Sequence, residues 1–156
     1  MARARLCIVL LLAGCGLASK DYDVEQAFQA GGGPPSFTGS FNSTQLLGPL
    51  SADVSKVSTV TLQAARIEAT DNNGDISFIS GASISVGSPI LPVALIATLS
   101  TSPAAGATSV PLQITPKELK PYLQAGGTVS ASITYSPTPV NARELRLVLT
   151  IHGSLL

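Results

Sequence analysis

Residues 57–87, VSTVTLQAARIEATDNNGDISFISGASISVG, decide the fold class. The run Val57–Ala69 is rich in β-branched residues, with apolar side chains at every second position. That period belongs to a half-buried strand. Val60, Leu62 and Ala64 share one phase, and Ile67 and Ala69 the other. A phase slip near Ala64-Ala65 marks a β-bulge. Asp71-Asn72-Asn73-Gly74-Asp75 is the strongest turn signal in the chain. Asn-Gly tolerates the positive φ that a tight hairpin needs, so we expect a hairpin here. Ile76, Phe78, Ala82, Ile84 and Val86 then alternate, which predicts a long strand bent near Gly81.

The same style continues outward. Phe37–Phe41 reads as a first strand. Leu91–Leu99 is nearly all apolar and is expected as a central strand covered on both faces. Val110, Leu112 and Ile114 alternate, and Pro111 places them at a sheet edge or strand end. Val129 to Tyr135 and Leu145 to Ile151 alternate again. One short helix is expected from Thr115-Pro116-Lys117-Glu118, with Thr115 as cap, Pro116 in the first helical position and Glu118 completing a capping box. Six or seven short strands with intervening turns predict a small antiparallel β-sandwich over 36–156, immunoglobulin-like in architecture only. A small β-barrel is the alternative fold. Residues 15–35 read as a flexible tether. Its weak helical patch, Asp23–Ala30, ends in Gly31-Gly32-Gly33-Pro34-Pro35. As a coil that tether would span about 25 Å.

The chain opens with Arg3 and Arg5, then an apolar run, Leu6–Ala13, then Gly14 and Cys15. A positive start, a short apolar core and small residues before a cut describe an export signal. The run is too short to span a bilayer, which takes about 20 helical residues. This segment resembles the signal peptides of bacterial lipoproteins. Leu12-Ala13-Gly14-Cys15 matches their lipobox at all four positions. The resemblance implies a signal peptide over 1–14, a diacylglycerol on the Cys15 thiol, cleavage before Cys15 and acylation of the new amino group. One acyl chain anchors a protein only marginally, whereas two or three hold it. Gly16 rather than Asp follows the cysteine, which by the same resemblance points to the outer membrane more than the inner. The competing reading is ordinary signal cleavage after Gly16-Leu17-Ala18, which would release a free protein.

Charge and cysteine content narrow the function classes. Removing the signal leaves seven basic and nine acidic residues, a net charge of −2, with no basic stripe for nucleic acid. Cys7 lies in the signal and Cys15 is the lipid position, so the body has no disulfide and is held by packing. Asp71, Asn73 and Asp75 invite a calcium test. Ile76 stands where an EF-hand needs Gly and Ala82 where it needs Glu, so that motif fails. They stay weak metal candidates beside the turn reading. His152 is the only histidine, and its parity opposite to Ile151 turns it outward. No GxSxG elbow accompanies it. Glu68, Asp71, Asp75, Glu118 and Glu144 could supply paired carboxylates for glycoside chemistry. Tyr122 and Tyr135 are expected in the core with hydroxyls at its rim, and Lys117, Lys120, Arg143 and Arg146 form a thin basic set.

The expectation is a non-catalytic, lipid-anchored envelope protein, acting as a structural or interaction module. It has no cofactor, no catalytic residue, and a membrane lipid and an envelope protein as partners. The alternatives are an anchored hydrolase or glycan-acting enzyme using carboxylates, and a calcium- or ligand-binding module.

Overall fold

The computed structural model describes residues 19–71 and 74–156. The strands are β1 (Ser19–Ala30), β2 (Ser36–Phe41), β3 (Val57–Ala69), β4 (Ile79–Gly87), β5 (Ala94–Thr98), β6 (Ser109–Pro111), β7 (Gln113–Ile114), β8 (Thr128–Tyr135) and β9 (Arg143–Leu155). Two short helices, α1 (Ser43–Leu47) and α2 (Lys120–Gln124), interrupt them. One sheet has the order β1-β9-β3-β6 and the other β2-β8-β4-β5-β7. All their pairings are antiparallel. Each sheet keeps two distinct edge strands, so the architecture is the expected β-sandwich and not the alternative closed barrel.

The alternating apolar residues face one another between the sheets. Ile67, Leu147, Leu149 and Ile151 come from the first sheet and Ile84, Ile96, Val129 and Ile133 from the second. The phase slip in β3 is a real irregularity, with its register against β9 shifting between Leu62 and Ala64. β4 likewise shifts against β8 between Ile79 and Gly81. Pro111 does sit on an edge strand: β6 pairs with β3, and two residues later β7 pairs with β5 of the other sheet. The segment changes sheets at the buried Leu112, whose amide donates to the Ala65 carbonyl at 2.8 Å.

Four expectations are corrected. The first concerns residues 15–35. From Ser19 to Ala30 this segment is not a tether and not helical. It is strand β1, in register with β9 from Ser19↔Ser154 to Ala30↔Arg143. Tyr22, Phe28 and Ala30 are buried, while Asp21, Asp23 and Glu25 face out. Gln26 falls on the inward side and interrupts an otherwise clean period of two. The glycine run beyond it reverses the chain from one sheet to the other. Gly31 has φ +97°, and a Cβ there would lie 2.6 Å from the Asn141 carbonyl oxygen, so glycine is required.

The second correction is the turn at Asp71–Asp75. β3 and β4 belong to different sheets, so the stretch is a crossover and not a hairpin. Backbone bonds tie it to other segments: Thr70 donates to the Glu144 carbonyl and Ile76 to the Ala107 carbonyl. Ile76 and Ile79, both fully buried, draw it across the sandwich. Third, Leu91–Leu99 is not covered on both faces. β5 buries Ile96 and Ala97, but Val93 and Leu95 are exposed. Fourth, the helix starts later than Thr115. Leu119 precedes it and Pro121 lies in its first turn. Glu118 caps nothing at Thr115. Its Oε1 accepts from the Val60 amide at 2.8 Å and the Lys120 amide at 3.1 Å, stitching the segment to β3.

Candidate functional site: a polar ladder on the outer face of one sheet

The outward residues of β1, β9 and β3 form a continuous polar ladder. Successive strands lie about 4.8 Å apart, so in-register side chains on one face meet directly and diagonal ones meet when long. Asp21 pairs with His152, and the His152 Nδ1 lies 2.6 Å from the Asp21 carboxylate. Thr150 donates to Asp23 at 2.7 Å. Arg146 reaches Glu25 on one neighbouring strand at 3.0 Å and Glu68 on the other. Arg66 binds Glu68 at 3.0 Å and Asp23 at 3.4 Å. Val148 sits among these groups, in register with Glu25 and Arg66, and is fully buried although it points away from the core. Long charged side chains can cover apolar surface in this way with their stems.

Glu68 is the hub of the ladder. Burial alone would raise its carboxyl, but hydrogen bonds from Arg66 and Arg146 outweigh burial and hold it below the usual glutamate value. The same bonds to Glu68 raise both guanidinium values. A carboxyl with a lowered folded value adds stability above its unfolded value, and this is lost as pH falls through the folded one. Glu68→Gln should therefore lower stability by about 1 kcal/mol near neutral pH, since most of the ladder is solvent-screened. The gap between wild type and variant should narrow as pH falls past the ordinary glutamate range, about pH 4, and close once pH lies below the folded value. Urea unfolding of both proteins across that range checks this.

At the lower rung, Ser154 Oγ lies 3.3 Å from the His152 Nε2. Asp21, His152 and Ser154 thus stand in the order acid, imidazole, hydroxyl, the sequence of groups that activates a serine. Two features oppose catalysis there. β9 is paired with β1 on one side and β3 on the other at this level, which engages its amides in the ladder. The face is also an open sheet surface, and Asp21 is well exposed. Asp21 as the partner of His152 is not legible along the chain, because 131 positions separate them.

The other predicted site residues are dispersed. Cys15 and Asn73 lie outside the described residues. The Asp71 carboxylate accepts from the Gly74 amide at 3.1 Å and faces Arg143 at 3.8 Å. Asp75 accepts from the Ser77 amide, which holds its carboxyl below the usual aspartate range, with Arg143 adding to that. Both acids are thus committed to backbone and arginine. Among the described residues no three His, Cys, Asp or Glu side chains gather to hold a metal ion. Glu68, Glu118 and the pair Asp71 and Asp75 occupy three separate places in the fold. Tyr122 and Tyr135 are buried as expected, but the Tyr135 hydroxyl is itself buried without a hydrogen-bond partner rather than at the rim, and burial pushes its phenol up to about 12. The basic set divides: Lys117 and Lys120 flank the start of α2, while Arg143 opens β9 and Arg146 belongs to the ladder.

The opposite outer face, on the second sheet, differs in chemistry. Thr38, Ser40, Ser83, Ser85, Ser130 and Ser132 line a shallow open depression of about 490 Å³. It carries hydroxyls and no charge. No protein-family model matches the chain, and no curated protein is significantly similar to it.

Proposed function

We propose that this is a non-catalytic, lipid-anchored protein of the bacterial cell envelope, in which Cys15 carries the lipid and the sandwich is a structural or interaction module. The observation that carries the reading is the junction between anchor and body. The lipobox cysteine is followed by only Gly16, Leu17 and Ala18 before β1 begins at Ser19. Cleavage before Cys15 therefore leaves the whole described strand, Ser19–Ala30, in the mature chain. The ladder supports a module more than an enzyme. Its carboxylates are paired with arginines across the strands, with only the buried Arg146 Nε left without a partner, whereas an active site leaves groups free for substrate. Outer-membrane placement rests on Gly16 at the position after the cysteine.

Membrane partition tests the proposal. Wild type should float with membranes and Cys15→Ser should appear in the soluble fraction, because the variant loses the acyl chains and their transfer free energy. Equal partition of the two proteins would overturn it. A hydrolase reading has one observation in its favour, the Asp21, His152 and Ser154 order. Labelling of Ser154 by a fluorophosphonate would establish it.

A further inference from the structure

The register pairs define two ends of the sandwich. β1 starts beside the last residues of β9 and the first of β3, as Ser19↔Ser154 and Thr59↔Ser154 show. On the second sheet, Phe41 pairs with Val129 and Thr128 with Gly87. The same end therefore carries the 42–56 connection, the loop 88–93, the turn after α2 and Leu156. The opposite end carries the 31–35, 70–78, 99–108 and 136–142 connections.

Two properties separate these ends. Ile90, Val93 and Leu156 are 79%, 75% and 74% exposed, and all three lie at the end where β1 begins. Leu95, also exposed, is one residue into β5 from that end. Val140 is the one large exposed apolar residue at the opposite end among the described residues. The second property is charge. All four lysines of the chain, Lys20, Lys56, Lys117 and Lys120, also belong to the β1-start end. Asp21 is engaged with His152 and Glu118 with backbone amides, while Asp53 takes up Lys56, so among the described residues Lys20, Lys117 and Lys120 are the lysines without an acidic partner. Exposed apolar side chains at the same end as the lysines are suited to a lipid–water boundary with anionic headgroups.

We propose that this end of the sandwich lies against the bilayer, with Ile90, Val93 and Leu156 in the interface and the lysines at anionic headgroups. This rests on lipid attachment at Cys15. The four steps from Cys15 to Ser19 reach at most about 14 Å, so an acylated Cys15 holds the β1-start end near the headgroups. The body does not hang free on a long linker. The opposite loops and the hydroxyl-rich face are then the surfaces presented away from the membrane.

The test uses the lipid-bearing protein, with its mass measured first, in vesicles containing phosphatidylglycerol and a quencher-labelled lipid. Ile90→Cys and Val140→Cys each carry one fluorophore. Both positions are exposed, so neither label disturbs the core. The thirteen residues of β9 place the two ends roughly 40 Å apart. We expect several-fold stronger quenching at position 90 than at 140. Replacing phosphatidylglycerol by phosphatidylcholine should weaken it. Equal, weak quenching at both positions in a protein whose mass shows the lipid would overturn the orientation alone, and would leave this end free for a protein partner. A mass without lipid would overturn the anchor, and the orientation with it.

Discussion

A chain that begins at Pro34 will not fold, whereas one that begins at Ser19 will give a single cooperative unfolding transition. β1 supplies twelve register pairs along one edge of β9, an inner strand of its sheet. It buries Tyr22, Phe28 and Ala30, and Phe28 stacks on Phe37 of the other sheet at 4.3 Å between ring centroids. The Tyr22 hydroxyl donates to the Leu46 carbonyl at 2.7 Å, tying the strand to α1. Removing one buried aromatic side chain typically costs about 3–5 kcal/mol. Losing two, together with a strand's ladder bonds, rivals the roughly 5–15 kcal/mol that hold a domain folded. Circular dichroism on heating reads the difference. An unchanged midpoint for the shorter chain would return the segment to the role of tether.

The second large effect separates neighbouring residues. Ile96→Ala should destabilise the domain by about 2–5 kcal/mol, because Ile96 is 1% exposed and packed in the core. Leu95→Ala should cost no more than about 0.5 kcal/mol, because its side chain stands on the outer face. Urea midpoints at constant slope give both values. Similar losses at the two positions would mean that β5 is covered on both faces after all.

Strands with a clean period of two were legible in the sequence. β8 and β9 carry their apolar residues without interruption, and the bulge in β3 announced itself as a change of phase. Non-local facts were not legible. β1 alternates, but Gln26 occupies an inward position, and its partner strand lies more than a hundred residues away. The Asp71–Asp75 stretch has the local chemistry of a hairpin turn. Its destination was set by burial of Ile76 and Ile79, which no turn rule includes. Glu118 has the spacing of a capping box, yet a β3 amide captured it. The ladder was hidden for the same reason as β1. Its members are single charged residues on three strands, brought together only by register.

Lipid attachment at Cys15 is read by the intact mass of the mature protein, from wild type and from Cys15→Ser. The wild-type chain should start at Cys15 and carry a diacylglycerol, and the variant should lack the lipid. A bare chain starting at Ser19 in both proteins would contradict it, and would describe a secreted sandwich with no anchor.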